Sequence, residues 1–567
     1  MLKDRFALGL DFGTESARAL VVNVSNGEEV GQAVMDYPHG VIDERLPDSD
    51  VVLEPEWALQ DPQDYVEVLR RIVPESLREA GVSPEQIVGV GVDFTSCTVM
   101  PTDEEGVPLC MYEDLRLQPH AWPKLWKHHA AAPEAEEITT KALERGERFL
   151  ERYGGKISPE WLFPKALQVL REAPEIYQRA AKFIEGGDWI VMQLTGRERR
   201  SACQAGYKAM WDRDEGYPSR DFLAAVDPRF VDMVDGKLAS DVYPMGTCAG
   251  EVTPEAADAY GLRAGTPVAV AVIDAHVAAP AAGVVRPGQM LMIMGTSLCH
   301  MALHEKKLPV KGVAGIVADG IIPGFYGYEA GQAAVGDIFV WYVRTGVPAA
   351  YEQEASAQGK TVYALLEEKA GTLRPGQSGL LALDWWNGNR SILMDASLSG
   401  MLLGCTLDTK PEEIYRALIE ATAFGTRVII ENVEAQGISA EELYACGGLA
   451  ERNPLLMQIY ADVLGREIRV ARSSQACALG AAMWGAVVAG AERGGYDTIQ
   501  QAAEKMSGVR EKAYEPRADA HSVYTELYRD YVALHDYFGR GGNDVMRRLK
   551  ALRERVSKLE SWWKPCG

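Results

Sequence analysis

Four segments of the chain repeat one pattern of hydrophobic and polar positions: an apolar run, a polar or glycine-containing turn, and a second apolar run. They are FALGLDFGTESARALVVNV from Phe6, IVGVGVDFTSCTVMP from Ile87, VAVAVIDAHVAAPAAGVV from Val268 and QMLMIMGTSLCHMAL from Gln289. Runs of Val, Ile and Leu interrupted by Gly or Ala are typical of buried strands, and short glycine turns are typical of hairpins. The pattern therefore predicts β-sheet in both halves of the chain.

Long stretches with helical periodicity lie between these segments. They include DPQDYVEVLRRIVPESLREAG from Asp61, EAEEITTKALERGERFLERYGG from Glu134 and KPEEIYRALIEATAFGTRVIIENVEAQG from Lys410. Each begins after a polar residue or a proline and several end at glycine, which are the usual start and stop signals of helices. Strands that alternate with helices predict α/β layers.

The strand-turn pattern restarts after a loop-rich stretch that ends near residue 265. We therefore expect two large domains, residues 1–265 and 266–567. From Asp544 onward the sequence VMRRLKALRERVSKLESWWKPCG predicts a basic amphipathic helix. The simplest interpretation is that this tail packs on the body of the protein through its Leu and Trp side chains, and the alternative is a tail that binds a partner.

Composition narrows the class of protein. The 567 residues are 47% hydrophobic and 25% charged, the balance of a folded globular chain rather than a disordered one. The 58 Lys and Arg against 81 Asp and Glu give a net charge of −23, which argues against nucleic acid or an anionic membrane as the main partner. No segment has the pattern of a membrane span or a signal peptide, and the nine cysteines show no C-x-x-C pair, so we expect a cytoplasmic protein with reduced thiols.

The turn from Gly9 to Arg18 is rich in glycine and hydroxyl groups and lies between two predicted strands. Such a turn presents backbone N–H groups and hydroxyls to an anion, so it predicts a phosphate-binding loop. The carboxylate of Asp11 would repel a bare phosphate, and it is better suited to holding Mg²⁺. In isolation the turn is equally compatible with a plain strand end capped by Asp11.

Two further turns follow apolar runs in the second half of the chain. Asp274 comes at the end of VAVAVI, where a carboxyl group is costly unless it is paired or functional. A general base at this position would take a proton from a substrate hydroxyl, which would then attack phosphorus. Gly295 and Thr296 follow another apolar run and form a candidate contact to the far end of a polyphosphate.

A third turn, CGGLAERN from Cys446, lies between a predicted strand and a helix that begins at Pro454. The backbone exposed at Gly447 and Gly448 would let a flat ring lie against the chain, which suits adenine or ribose. A plain loop fits the same residues.

Together these turns resemble the FGGY family of carbohydrate kinases over residues 6 to 490. The resemblance also rests on YEAGQAAVGDIFVWY from Tyr328, GCTLDTKPEEIYRALIEA from Gly404 and SSQACALGAAMWGAV from Ser473. It implies two ribonuclease-H-like domains of the actin-like ATPase type, with ATP and Mg²⁺ in a cleft between them that closes on a sugar. It further implies that Asp274 is the catalytic base and that Asp11 helps to place the metal. The ATP contacts that it implies are Gly13, Thr14, Arg18, Gly295, Thr296, Gly447, Gly448 and Asn453.

Within that family the chain is most similar to the members that act on ketopentoses, and L-ribulose is the expected substrate. The segments LWKHHAAAPEAEEI from Leu125, GYKAMW from Gly206 and YEAGQ from Tyr328 carry this likeness. It implies sugar contacts at Ser96, Trp126, Lys208, Asp274 and Glu329. Another polyol kinase acting on xylulose, ribitol or glycerol remains an alternative, as does a nucleotide-switched binding protein like actin or a heat-shock chaperone. A homodimer is left open.

Overall fold

The computed structural model describes residues 5–239 and 241–557. Its strands are β1 Phe6–Phe12, β2 Ser16–Asn23, β3 Glu29–Asp36, β4 Ile87–Phe94, β5 Val99–Thr102, β6 Lys182–Glu185, β7 Arg200–Ser201, β8 Val242–Tyr243, β9 Cys248–Glu251, β10 Pro267–Ala269, β11 Val272–Ile273, β12 Gly288–Met294, β13 Leu298–His304, β14 Gly315–Ala318, β15 Tyr326–Gln332, β16 Leu381–Leu383, β17 Met401–Leu403, β18 Ala440–Cys446 and β19 Ile468–Val470.

The helices follow in the same way. They are α1 Pro62–Ala80, α2 Ala132–Arg145, α3 Leu162–Glu172, α4 Pro174–Arg179, α5 Gly186–Thr195, α6 Ala202–Lys208, α7 Arg220–Val226, α8 Pro254–Tyr260, α9 Asp274–Ala281, α10 Gly336–Gly346, α11 Ala349–Ala357, α12 Val362–Gly371, α13 Pro411–Ala435, α14 Gly448–Arg452, α15 Pro454–Leu464, α16 Ala476–Ala489, α17 Ile499–Met506, α18 Ala518–Gly539 and α19 Val545–Ser557.

Two sheets with the same strand order form the centre of the molecule. In the first sheet the order is β3-β2-β1-β4-β10, with β9 beyond β10 and β11 also paired to β4. In the second sheet the order is β15-β13-β12-β18-β19, with β14 beyond β15. In each sheet the first three strands are antiparallel and the next pairs are parallel. This repeat agrees with the two ribonuclease-H-like domains that the resemblance implied.

Helices cover both faces of the first sheet. On one face, Tyr65 of α1 packs edge-on against Phe12 and Phe94. On the other face α16 lies directly on the backbone of β1 and β4. A Cβ atom at Gly9, Gly89 or Gly91 would overlap a carbonyl oxygen of α16, so these strand glycines allow the close approach.

The predicted hairpins are confirmed in two of the four segments, β1–β2 and β12–β13. The other two expectations were wrong. After β4 the chain leaves the sheet, and β5 pairs with β6. After β11 the apolar run AHVAAPAA is the helix α9, because alanine favours helix over strand.

The predicted helices are largely confirmed. Helix α1 begins after the N-cap Asp61, whose carboxylate accepts the N–H of Gln63, and it ends at Gly81 in the left-handed conformation. Helix α13 spans nearly all of its predicted stretch. Helix α2 is shorter than expected, because Gly146 ends it in the left-handed conformation and the chain continues as a 3-10 helix, Arg148–Tyr153.

The change from the first sheet to the second falls later than the boundary expected near residue 265. Strands β10 and β11 pair with β4, so the first sheet extends at least to Ile273. Helices α16 and α17 also join the hydrophobic core of the first sheet. A third hydrophobic core is formed mainly by residues within 97–238, a largely helical segment inserted between β4 and β10, and residues within 42–59, from the connection between β3 and α1, complete it.

The basic tail is helical as α19, and it contacts the body through Met546, which is buried, and Arg547, which pairs with Asp395. The expected packing through leucine is not found at Leu549 and Leu552, which are exposed, and Leu559 lies outside the described residues. Trp562 and Trp563 lie outside the described residues. Within the described chain, every cysteine is a free thiol and none of the helices combines the length and apolar composition needed to cross a bilayer.

Candidate active site

Three aspartates meet at one edge of the first sheet. Asp11 lies near the end of β1, Asp93 near the end of β4, and Asp274 directly after β11. In the parallel register Asp11 is the partner of Asp93, and Asp93 is the partner of Val272. Because the carboxyl ends of parallel strands share one edge of a sheet, the three carboxyl groups form one acidic cluster, the carboxylate edge.

Burial controls the protonation of this cluster. It raises the pKa of Asp93 well above its ordinary value, and the nearby charges of Asp11 and Asp274 raise it further. Burial also raises the pKa of Asp274 to about 7, although the N–H of Ala275 donates to its Oδ1 at 2.7 Å. Burial raises the pKa of Asp11 too, while Arg18, whose Nε lies 3.2 Å from Oδ2, opposes that shift. Burial and like charge thus favour the protonated form of Asp93, and Asp274, with a pKa of about 7, can exchange a proton near neutral pH.

The predicted phosphate loop forms the tight turn between β1 and β2. The N–H of Gly13 donates to the carbonyl of Ser16 at 2.9 Å, which closes the turn. The hydroxyl of Thr14 accepts a hydrogen bond from the indole N–H of Trp126 at 3.0 Å. Nη1 of Arg18 donates to the side chain of Gln475 at 2.8 Å, at the start of α16. The structure therefore brings Trp126, expected on the sugar side, against the phosphate loop.

Lys208 and Glu329 are brought together from distant parts of the chain. Lys208 ends α6 in the helical insertion, Glu329 is in β15, and Nζ of Lys208 lies 3.2 Å from Oε2 of Glu329. Arg390 pairs with the other carboxylate oxygen, and Nε2 of His276 lies 3.3 Å from Oε2. Burial alone would raise the pKa of Glu329, but the cations Lys208 and Arg390 hold it well below the usual glutamate range.

The remaining predicted sugar residues lie on two loops of the insertion. Ser96 lies in the loop that follows β4, two residues beyond Phe94, and Trp126 lies in the loop that pairs with β5 through Lys124 and Val99. Both side chains are half-buried. Ser96 is close to the carboxylate edge because its loop begins just after Asp93. Trp126 is close to it because its indole donates to Thr14 in the phosphate loop.

The predicted ATP turns of the second sheet are also neighbours. Gly295 and Thr296 follow β12, Gly447 follows β18, and these strands are adjacent and parallel. The carbonyl of Thr296 accepts the N–H groups of Val335 and Asp337. Gly447 has a φ of 93°, and a Cβ there would lie 2.7 Å from the carbonyl oxygen of Met294, so only glycine suits the turn.

Gly448 begins the short helix α14, which was not predicted. Asn453 has a structural role that the sequence did not reveal. Its Oδ1 accepts the N–H of Leu456 at 2.8 Å and caps α15, and its Nδ2 donates to the hydroxyl of Tyr415 at 3.3 Å. The contact of Asn453 with adenine stays a prediction.

Three site residues were missed from the sequence. Asp93 ends an apolar run just as Asp274 does, so the same argument could have found it. His276 follows Asp274 by two residues, but its position beside Glu329 depends on how the two sheets meet. Arg390 lies in the irregular loop between β16 and β17, where no periodic pattern points to it.

The donor chemistry of the carboxylate edge fits Mg²⁺. Carboxylate oxygens suit this ion, which in kinases is held by one or two carboxylates while water and substrate phosphates complete the shell. Among the described residues, the one set of three candidate ligands within 4.8 Å of one another is elsewhere, at His39, Asp61 and Asp64. There Arg116 already pairs with Asp61 at 2.6 Å and His39 with Asp64 at 2.8 Å. Asp11 is thus suited to a metal that arrives with a nucleotide rather than to a closed protein cage.

Comparison with known proteins agrees with this geometry. The model of the FGGY family of carbohydrate kinases, N-terminal domain, matches residues 6–280, and that of the C-terminal domain matches residues 290–489. The chain belongs to the FGGY family of carbohydrate kinases, and it is a sugar kinase that uses ATP.

The curated relatives are more specific than the family. A ribulokinase of Halalkalibacterium halodurans is 56% identical over 549 residues, which is 97% of this chain and 98% of that protein. A ribulokinase of Mycolicibacterium smegmatis is 47% identical over 558 residues, 98% of each chain.

Solved structures share the fold at low sequence identity. A xylulose kinase from Rhodospirillum rubrum superimposes with a TM-score of 0.76 at 24% identity, covering 94% of this chain and 98% of that one. A glycerol kinase from Plasmodium falciparum with ADP gives a TM-score of 0.72 at 16% identity, with the same two coverages. These structures confirm the predicted two-domain fold.

Proposed function

We propose that the protein transfers the γ-phosphoryl group of ATP to ribulose, with L-ribulose as the preferred sugar and O5 as the acceptor. The observation that carries this proposal is the 56% identity to a ribulokinase over 97% of the chain. The site agrees with it, because Asp274, with a pKa of about 7, lies near the Lys208–Glu329 pair. The other polyol kinases and the nucleotide-switch alternative have no comparable support.

In the proposed mechanism Asp274 is the general base. Its pKa of about 7 lets it accept the proton of the sugar hydroxyl at neutral pH, which makes that oxygen a better nucleophile toward phosphorus. Burial and the charges of Asp11 and Asp274 raise the pKa of Asp93 and favour its neutral form, which limits the repulsion among the three carboxyl groups.

Asp11 is the residue that would hold Mg²⁺, directly or through water. Bound there with ATP, the ion would neutralise charge on the phosphates. Arg18, whose Nε lies 3.2 Å from Oδ2 of Asp11, opposes the rise in the pKa of Asp11 and so favours its charged form. Gly13, which has no side chain, lets the transferred phosphoryl group approach the turn, and the N–H and hydroxyl of Thr14 are suited to bind it. Gly295, Thr296, Gly447 and Gly448 are suited to the rest of the nucleotide. Asn453 is retained as a proposed neighbour of adenine.

The proposed sugar contacts are Ser96, Trp126, Lys208, Asp274 and Glu329. Lys208 supplies donors and Glu329 acceptors for the polyol hydroxyls, Ser96 supplies either, and the indole of Trp126 supplies an apolar wall. Arg390 and His276 hold Glu329 in its ionised form. Dimerisation and the cytoplasmic location stay predictions.

A coupled assay of ADP release tests the proposal. MgATP is supplied with L-ribulose, D-ribulose, D-xylulose, L-xylulose, ribitol or glycerol, or with no sugar. We expect the highest kcat/KM with L-ribulose, almost no ADP without sugar, and a 5-phosphate product by phosphorus NMR. A higher kcat/KM with another polyol would overturn the assigned substrate, and sugar-independent ADP release would favour the nucleotide switch.

A further inference from the structure

A buried lysine joins the two loops that border the proposed sugar site. Lys165, in the first turns of α3, has a side chain that is 1% exposed. Its Nζ donates to the carbonyl of Cys97 at 2.6 Å, of Leu125 at 2.8 Å and of Lys124 at 3.3 Å. An ammonium group has three donors, so all of them are used on these carbonyls.

The three carbonyls are adjacent to two of the proposed sugar contacts. Cys97 directly follows Ser96, and Leu125 directly precedes Trp126. The backbone of Cys97 has a φ of 64°, which L side chains rarely adopt, so this loop needs support from its surroundings. The hydrogen bond from Lys165 to the Cys97 carbonyl supplies such support at the strained residue.

The same lysine is linked to the phosphate loop through one intermediate residue. Lys165 holds the carbonyl of Leu125, and the indole of the next residue, Trp126, donates to the hydroxyl of Thr14. A shift of the Leu125 carbonyl would therefore move both the apolar wall of the sugar site and its contact with the phosphate loop.

Burial and the neighbouring groups act in opposite directions on the charge of Lys165. Burial lowers the pKa of Lys165 to about 8, while the neighbouring Cys97, Glu185 and Glu160 favour its protonated form. A buried charge is costly, and an apolar side chain would satisfy the packing of α3 alone. The three backbone carbonyls that it holds account for a hydrogen-bond donor at this buried position.

We propose that Lys165 is a positioning residue for the sugar, because it fixes Ser96 and Trp126 relative to each other and to Thr14. The inference rests on the proposed function. It assigns Lys165 no contact with the substrate: its effect passes through the two loops.

The test compares two buried lysines of the same helical insertion. Lys165→Met removes the three hydrogen bonds to the loops. Lys237→Met is the matched control, because Nζ of Lys237 also donates to backbone carbonyls, those of Tyr177 and Ala180, but holds neither loop. For each variant the KM for L-ribulose, the KM for ATP, kcat and the thermal midpoint are measured.

We expect Lys165→Met to raise the KM for L-ribulose about tenfold or more, since small displacements of positioning groups have large effects. The KM for ATP should stay within about twofold, and Lys237→Met should leave both KM values within that range. Both variants should lower the thermal midpoint. An unchanged KM for ribulose in Lys165→Met, or an equal rise in Lys237→Met, would overturn the proposal.

Two further arrangements keep the result decisive. If Lys165→Met does not fold, Lys165→Gln, which keeps two N–H donors, is measured in the same way; a lower thermal midpoint with an unchanged KM for the sugar would then contradict the role. If the wild-type enzyme prefers another sugar of the panel, that sugar replaces L-ribulose. A wrong substrate assignment would therefore show in the sugar panel of the wild-type enzyme. A wrong role for Lys165 would show only in the KM values of the variants.

Discussion

Asp11, Asp93 and Asp274 carry the same carboxyl group, yet their surroundings give them different protonation. Asp93 is fully buried and faces two other carboxyl groups, so it retains its proton. The guanidinium group of Arg18 lies beside Asp11 and favours its charged form. Asp274 lies at the end of a buried strand and is half-buried, and burial raises its pKa to about 7. Position on the sheet edge thus distinguishes the buried acid Asp93 from the proposed metal ligand Asp11 and the proposed base Asp274.

Replacing Asp274 by Asn tests the base directly. Asn keeps the shape of the side chain but cannot accept the proton, so kcat should fall by at least about 100-fold. The affinity for ATP, measured by calorimetry, should be nearly unchanged. Turnover that survives within about tenfold of the wild type would remove Asp274 from this role.

Asp274→Asn should lower kcat but raise the stability of the folded protein at alkaline pH. Because the folded-state pKa of Asp274 is raised to about 7, its stabilising contribution is complete below the unfolded value of about 3.9 and is lost as the pH rises through 7. Asp274→Asn should therefore melt at a higher temperature than the wild type at pH 8, with the gain shrinking toward pH 5. An equal difference at both pH values would contradict the raised pKa.

Glu329→Gln tests the ion cluster on the sugar side. The change leaves Lys208 and Arg390 without their anionic partner, so we expect the KM for ribulose to rise more than about tenfold while the KM for ATP stays within about twofold. Breaking a buried pair should also cost about 3 kcal/mol of unfolding free energy.

A second buried ion pair provides the control for Glu329→Gln. Arg416 and Glu420 lie 2.8 Å apart in α13, where no site residue contacts them. Glu420→Gln should destabilise the protein to a similar extent in urea unfolding without changing either KM. If Glu329→Gln raised the two KM values equally, Glu329 would not belong to the sugar site.

At the scale of elements, the contact of α16 with β1 and β4 determines the position of the carboxylate edge. Gly91 and Asp93 are on the same face of β4, because side chains alternate along a strand. Helix α16 rests on that face at Gly91, and its first residues follow Gln475, which binds Arg18. Packing of this helix is therefore coupled to the acidic cluster.

Gly91→Ala tests this contact. The added methyl group would overlap the carbonyl oxygen of Ala481, so α16 must move, and we expect a loss of at least about 2 kcal/mol in unfolding free energy together with a lower kcat. Gly371→Ala is the control, since its Cβ would meet nothing within 4 Å, and its effect should be within about 0.5 kcal/mol. Equal stability of the two variants in urea would show that α16 does not press on β4.

Elements with strong local signals could be predicted from the sequence. The β1–β2 and β12–β13 hairpins and helices α1 and α13 have apolar periodicity, a cap or a proline start within their own residues. The sequence places the strand glycines within an apolar pattern, but it does not show why they are glycine. They are needed because α16, more than 380 residues later in the chain, packs directly on them.

The position of Asp11 and Asp274 at the edge of the sheet could be predicted, because each carboxyl residue follows an apolar run; their chemical roles stay predictions. Arg390 and Lys165 carried no such signal. Arg390 meets Glu329 across 61 positions and Lys165 meets Cys97 across 68, so only tertiary packing brings the members of each pair together.

At the scale of the whole molecule, the chain passes between the two sheets more than once. It builds the first sheet, then the second, returns to the first as α16 and α17, and ends its long helices on the second, where Tyr524 and Tyr531 of α18 join the core. If the chain were divided at one position between the two sheets, α16 and α17 would be separated from the first sheet that they cover.

This interleaving predicts that the two sheets unfold together. Loss of the second sheet would release both ends of the segment that carries α16 and α17, and the first sheet would then expose Gly9, Gly89 and Gly91 without their covering helix. Urea unfolding followed by far-UV circular dichroism and by tryptophan fluorescence should give one transition with coincident midpoints. Gly91→Ala, although it lies in the first sheet, should move both midpoints by the same amount. Two separate transitions, or a shift of the midpoint seen by one probe alone, would mean that the sheets unfold independently. The packing of α16 on the first sheet would then add stability without coupling the two domains.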